Sequence, residues 1–298
     1  TQIWGDGDDA NGIPPGFAHD TNLWSGAVIT LRNYVTLPRN PAQIFFDARD
    51  ILGASKPVIM TRAGWASNIG PIQAFAVEVP SVADHGTHYI CPVGEDVDSY
   101  NKFQYVGMYI LADYDATEIT LDTDGNGPIP AVTFTLNRGG AYHVNGGLKK
   151  GAYVKSSQPV LVNLVTGNKT VSYESRSYTL RPVERWSDCY LTPVGAAANG
   201  WPAAMFLFNT NAAPLVVRYQ SQQAGSYLTI PGNNGVLEFA LPRNSGSLFT
   251  STNGMPFNLI CAAGADPTRG NYYDWGFAPM PFDGLTAEQA ANVRKGIS

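Results

Sequence analysis

His88-Tyr89-Ile90-Cys91-Pro92-Val93-Gly94 opens the stretch, Asp84 to Asn168, whose order of elements decides the fold. An apolar run from Val106 to Ala112 follows, then Ile119-Thr120-Leu121, an acidic turn from Asp122 to Gly127, Val132 to Leu136, a Gly139-Gly140 turn and Ala152 to Val165. The same order returns about one hundred residues later, which marks a repeated supersecondary unit. Cys189-Tyr190-Leu191-Thr192-Pro193-Val194-Gly195 matches the opening and Met205 to Phe208 matches Met108 to Leu111. Leu215-Val216-Val217 stands where Ile119-Thr120-Leu121 stood, Gly235 to Leu241 for Val132 to Leu136, and Gly254 to Ile260 for the run through Gln158-Pro159-Val160. A partial earlier copy runs through Ala27 to Leu31 and Ser55-Lys56-Pro57-Val58-Ile59-Met60.

Composition agrees with an all-β protein. Of the 298 residues only 14% are charged, with 31 Gly, 21 Pro and 15 Tyr. Tight turns between short, alternating apolar segments are the pattern of stacked sheets. The expected fold is tandem β-sandwich-like repeats of about 95 residues each, with propeller-like blades as the alternative. The expected division is an N-terminal arm and partial unit over 1–80, repeats over 81–183 and 184–280, and a helical tail over 281–298. In that tail Thr286-Ala287-Glu288-Gln289 reads as a capping box opening a helix of about ten residues.

A net charge of −5 offers no basic field for nucleic acid, and no apolar run is long enough to span a membrane. Thr1-Gln2-Ile3-Trp4 lacks the basic start and apolar core of a signal peptide, so a removed leader and a longer parent chain are both compatible with this opening. Three cysteines cannot all pair within one chain. A Cys189–Cys261 disulfide is one reading and three buried thiols the other.

Two acidic loops suit calcium. Asp6, Asp8, Asp9 and Asn11 lie among glycines in the first, and repulsion between close carboxylates favours a bound ion over a solvated turn. Asp122, Asp124 and Asn126 take loop positions one, three and five in the second, with Gly127 closing a hairpin signal. Thr133 stands where the bidentate Glu of an EF-hand would, which excludes that motif. Asp84, His85 and His88 invite a transition-metal reading, but residues three apart on a strand face opposite sides. No nucleophile elbow, phosphate loop, dinucleotide fingerprint or zinc-protease motif appears, so the expectation is a protein that is not an enzyme. Tyr219, Tyr227 and Trp275 are candidate ligand or interface residues, since aromatics beside Gln and Asn suit both glycans and protein partners.

Tyr89, Pro92-Val93-Gly94, Thr133 to Leu136, Gly139-Gly140 and Val154 to Val162 together resemble the IgGFc-binding-protein N-terminal-like domain. Asp6-Gly7-Asp8, Asn11-Gly12 and Tyr273-Asp274-Trp275-Gly276-Phe277 resemble the two ends of its bacterial surface version. The resemblance covers nearly the whole chain and implies an extracellular or cell-surface, non-enzymatic β-repeat protein of adhesion or surface structure. Its partners are then itself, other surface proteins or glycans. No residue matches an antibody-binding site, and the tail helix is not explained.

Overall fold

The computed structural model describes residues 2–4, 17–20, 22–28, 30, 51–64, 75–97, 102–167, 175–192, 203–242, 246–263 and 275–282. The described chain is all-β, built of antiparallel sheets. Strands β1 (Gln2–Trp4), β2 (Phe17–Asp20) and β3 (Ile51–Gly53) form a small sheet, and β4 (Thr61–Gly64) pairs with β5 (Phe75–Glu78). Val58-Ile59-Met60, in the partial earlier copy, lies outside any strand. Ile59 is exposed, so no core favours an extended pairing there.

Strands β6 (Gly86–Ile90), β7 (Tyr105–Ala112), β8 (Thr117–Asp122), β9 (Val132–Leu136), β10 (Ala141–Val144), β11 (Tyr153–Gly167) and β12 (Ser175–Thr179) make the next unit. The long strand β11 serves two layers. Its first part pairs with β6 and β8, and its second part pairs with β7 and β12. The change falls around Gln158-Pro159, where the ladder register with β6 shifts. Proline cannot donate to a ladder, so a break there is expected.

The last unit repeats this plan with β13 (Cys189–Thr192), β14 (Ala204–Asn209), β15 (Leu215–Ser221), β16 (Gly225–Ile230), β17 (Gly235–Ala240), β18 (Ser247–Ser251), β19 (Asn258–Ala263), β20 (Trp275–Phe277) and β21 (Met280–Pro281). Here the switching strand is cut in two. β18 pairs with β13 and β15, β19 pairs with β14 and β20, and Thr252 to Phe257 joins them. Pairing also corrects one equivalence drawn from sequence. The partner of β8 in the first copy is β9, so Val132–Leu136 corresponds to β16, while Gly235–Ala240 pairs with β14 and corresponds to β10.

The repeated tyrosine marks the same clamp in both units. Gly86 N–H donates to the Tyr89 hydroxyl at 2.9 Å, and that hydroxyl donates to the Val160 carbonyl at 2.6 Å. Ser187 N–H and the Phe257 carbonyl hold Tyr190 in the same way, at 2.9 Å and 2.8 Å. Each tyrosine is fully buried, so its hydroxyl needs both partners. A 3₁₀ turn precedes each clamp, Val82–Asp84 and Val183–Arg185.

Two hydrophobic cores result, and the sheet containing β14 and β19 lies between them. Ala204, Phe206, Ile260 and Ala262 join a core with Val106, Met108, Ile110, Val162 and Leu164 of the preceding unit. Met205, Leu207, Leu259 and Cys261, alternating with them, join Tyr190, Val217 and Phe249. Period-two alternation therefore sends Ala204 and Phe206 to one core and Met205 and Leu207 to the other, which explains the apolar run of β14 from Ala204 to Phe208. The two sandwiches are fused through a shared layer.

The tail over 283–298, including the expected helix, lies outside the described residues.

Candidate functional site

Asp122 ends β8 with its side chain buried. Its Oδ1 accepts from Asp124 N–H at 3.0 Å and Gly125 N–H at 2.8 Å, with Asn126 N–H at 3.5 Å. Asp124 accepts from Gly127 N–H and Ile129 N–H at 3.0 Å and 2.8 Å. Asn126 adopts a left-handed backbone at φ 74°, as Asn in a tight turn does. The acidic loop is thus closed by carboxylates bonded to its own amides, an Asx-type turn. Removing the Asp122 carboxylate leaves the half-buried Asp124 and Gly125 N–H groups without this acceptor, so Asp122→Ala should cost about 1–2 kcal/mol in urea unfolding. Among the described residues, no three His, Cys, Asp or Glu side chains come together as a metal group. Asp6, Asp8, Asp9 and Asn11 lie outside the described residues.

Of the aromatic candidates, Tyr219 belongs to the core. Val216 and Arg218 of β15 point outward, so Leu215, Val217 and Tyr219 point inward, and Tyr219 packs 4.6 Å from Phe239 and 5.3 Å from Phe249 between ring centroids. It is 2% exposed, so its ring serves the core, and the residue also lines the recess beside Tyr227. Tyr227 faces the other way. It lies opposite Arg218 on β16 and is 70% exposed. A shallow recess of about 420 Å³ runs along this hairpin, lined by Arg218, Gln220, Gly225 and Tyr227 among others. Trp275 starts β20, paired with Ala263.

The sequence missed a second cluster. His85 pairs with Asp113, 28 residues away, rather than with Asp84 or His88. Its Nδ1 lies 2.6 Å from Asp113 Oδ2, both side chains are over nine-tenths buried, and Nε2 makes no hydrogen bond. The repeat supplies its structural meaning. His85 caps its 3₁₀ turn where Trp186 caps the next one, and Trp186 packs 6.1 Å from Phe208 while donating to the Arg181 carbonyl. His88 lies on the outer side near Tyr153, and burial followed by the nearby Lys155 charge lowers its pKa.

The Cys189–Cys261 disulfide is not formed. The two residues belong to different sheets: Cys189 on β13 has its Sγ 3.3 Å from Thr250 Oγ1, while Cys261 on β19 lies in the core. Burial pushes the thiols of Cys91 and Cys261 up to about 12. Since the thiolate is the nucleophile, Ellman's reagent near pH 8 should label only the half-buried Cys189 in the native protein. All three cysteines should react after denaturation. Stoichiometric labelling of Cys91 before unfolding would contradict this packing.

The geometry defines an all-β protein of two fused sandwiches with an exposed, aromatic-bearing hairpin. Compared with known proteins, the chain matches no family model, no curated protein and no solved structure. Among the described residues, no helix is long and apolar enough to cross a membrane.

Proposed function

We propose that this chain is a structural protein of the cell exterior that works through protein–protein contacts and assembles with itself into a filament, tube or sheet. The observation that carries this reading is the shared layer. It makes the two sandwiches one stiff block, while the β15–β16 hairpin presents Tyr227, Val216 and Arg218 to solvent. A stiff block with uncovered surface is what a subunit needs, because little order is lost on association. The resemblance to surface β-repeat domains supports the exterior location and the non-catalytic role. Negative-stain electron microscopy of the natively isolated protein tests it. Regular filaments, tubes or sheets are expected, and dispersed particles at high concentration would overturn self-assembly.

A second reading is a glycan-binding adhesin module of a larger surface protein, favoured by the polar recess beside Tyr227. Aromatic faces stack on sugars while Arg and Gln bond hydroxyls. Glycan-array binding that disappears in Tyr227→Ala would support it.

A further inference from the structure

We propose that β16 is an edge through which two copies of this chain pair, antiparallel and strand to strand, around a two-fold axis. This rests on the self-assembly reading above and names its contact. Among the described residues β16 ends its sheet, its one ladder being with β15. Along an edge strand, alternate N–H and C=O groups point away from the sheet and can template another strand. Folded proteins blunt such edges with charge, proline, short length or a covering element.

The other described end strands of the two sandwiches are blunted in different ways. β6, bonded to β11, is covered by the 3₁₀ turn Val183–Arg185, whose Glu184 accepts from the Thr87 N–H and hydroxyl. β9, the counterpart of β16, is preceded by Pro128 and Pro130, and its Phe134 ring lies 4.2 Å from Tyr142 of β10. β10 is only four residues long. β12 is covered by β5 and β20, which pack against it. β17 carries Glu238, paired with Lys102 at 3.3 Å. β20 and β21 are three and two residues long. β16 is six residues, Gly225-Ser226-Tyr227-Leu228-Thr229-Ile230, with neither charge nor proline within it, and Pro231 follows its last residue. Gly225, Ser226, Tyr227 and Thr229 are exposed.

A second copy fits this edge by symmetry. An isologous contact brings the same surface to itself, and an uncharged strand does so without like-charge repulsion, although the whole chain carries −5. A two-fold axis perpendicular to the sheet keeps both outer faces on one side. Tyr227 and Thr229, which share the outer face with Arg218 and Val216, then form a continuous row across the junction. Leu228 and Ile230 stay on the core side, in or against the same hydrophobic core in each copy. The contact closes on itself, so growth beyond a dimer uses a further surface.

The test is sedimentation equilibrium of the full chain beside the double variant Tyr227→Lys/Thr229→Lys. Both positions are exposed, so the fold should survive, and circular dichroism melts check that it does. Wild-type association is expected, weakened roughly tenfold or more in the variant by like charges set opposite one another. A Tyr227→Cys/Thr229→Cys variant should also form a reducible cross-linked dimer under mild oxidation, beyond the wild-type background from Cys189. Undiminished association of the lysine variant would overturn the β16 contact and leave self-assembly standing on another surface. A wild-type protein that stays monomeric at high concentration would overturn both.

Discussion

Phe206→Ala is expected to destabilise the protein by about 3–5 kcal/mol, the usual cost of deleting a buried phenyl ring. Phe206 is fully buried at the centre of β14 and faces the core of the preceding sandwich. Phe103 meets it edge-on at 4.8 Å, and the Lys102 ammonium stands 5.7 Å from its ring centroid. That lysine, itself nearly buried, reaches across to Glu238 of the neighbouring strand. Deleting the ring therefore opens a cavity and loosens the setting of a buried cation. On a total stability of about 5–15 kcal/mol, such a loss is large. Since the shared sheet links both cores, calorimetry should show one transition that moves as a whole. Two separated transitions, with only one displaced, would mean that the sandwiches unfold independently.

The sequence disclosed the repeat because turn chemistry and core anchors recur at fixed places. Tyr89 and Tyr190 could be matched by eye, and the clamps they close proved the same. What it withheld depends on which layer covers which face. Ala204 to Phe208 reads as a buried strand, but nothing in that run says that one face belongs to the preceding unit. The three apolar residues Leu215, Val216 and Val217 hide the phase of β15, and only Arg218, by pointing out, sets Tyr219 inward. The exchange of β9 for β17 has a similar cause. Both are short, largely apolar strands that follow a turn, and only ladder partners tell them apart. The partner of His85 stayed hidden because Asp113 follows β7, 28 residues away, a distance that local spacing cannot report. The acidic loop suggested calcium from its spacing, yet the structure directs its carboxylates to backbone amides. Donor spacing alone does not tell an ion from an N–H group, since both suit the same oxygens.

Gly94→Ala should be more damaging still, at about 4 kcal/mol or more, because no side chain can move aside. The Pro92-Val93-Gly94 signature lies in the segment after β6 that runs alongside residues 148–152. Cys91 N–H donates to the Ala152 carbonyl at 2.8 Å, Gly151 N–H to the Cys91 carbonyl at 2.9 Å, and Glu95 N–H to the Leu148 carbonyl at 2.8 Å. These bonds draw two backbones together with Gly94 between them. A Cβ there would lie 2.0 Å from Lys150 N and 2.2 Å from the Lys149 carbonyl carbon, far inside contact distance. Relief requires the segments to part, which breaks the flanking bonds and uncovers the buried Cys91 and Val93. Gly139→Ala is the control. Nothing lies within 4 Å of its Cβ, so only the left-handed backbone at φ 76° penalises it, at about 1 kcal/mol. Urea melts of the two variants should separate clearly. Equal midpoints would show that the 91–95 and 148–152 segments do not approach as closely as their hydrogen bonds require.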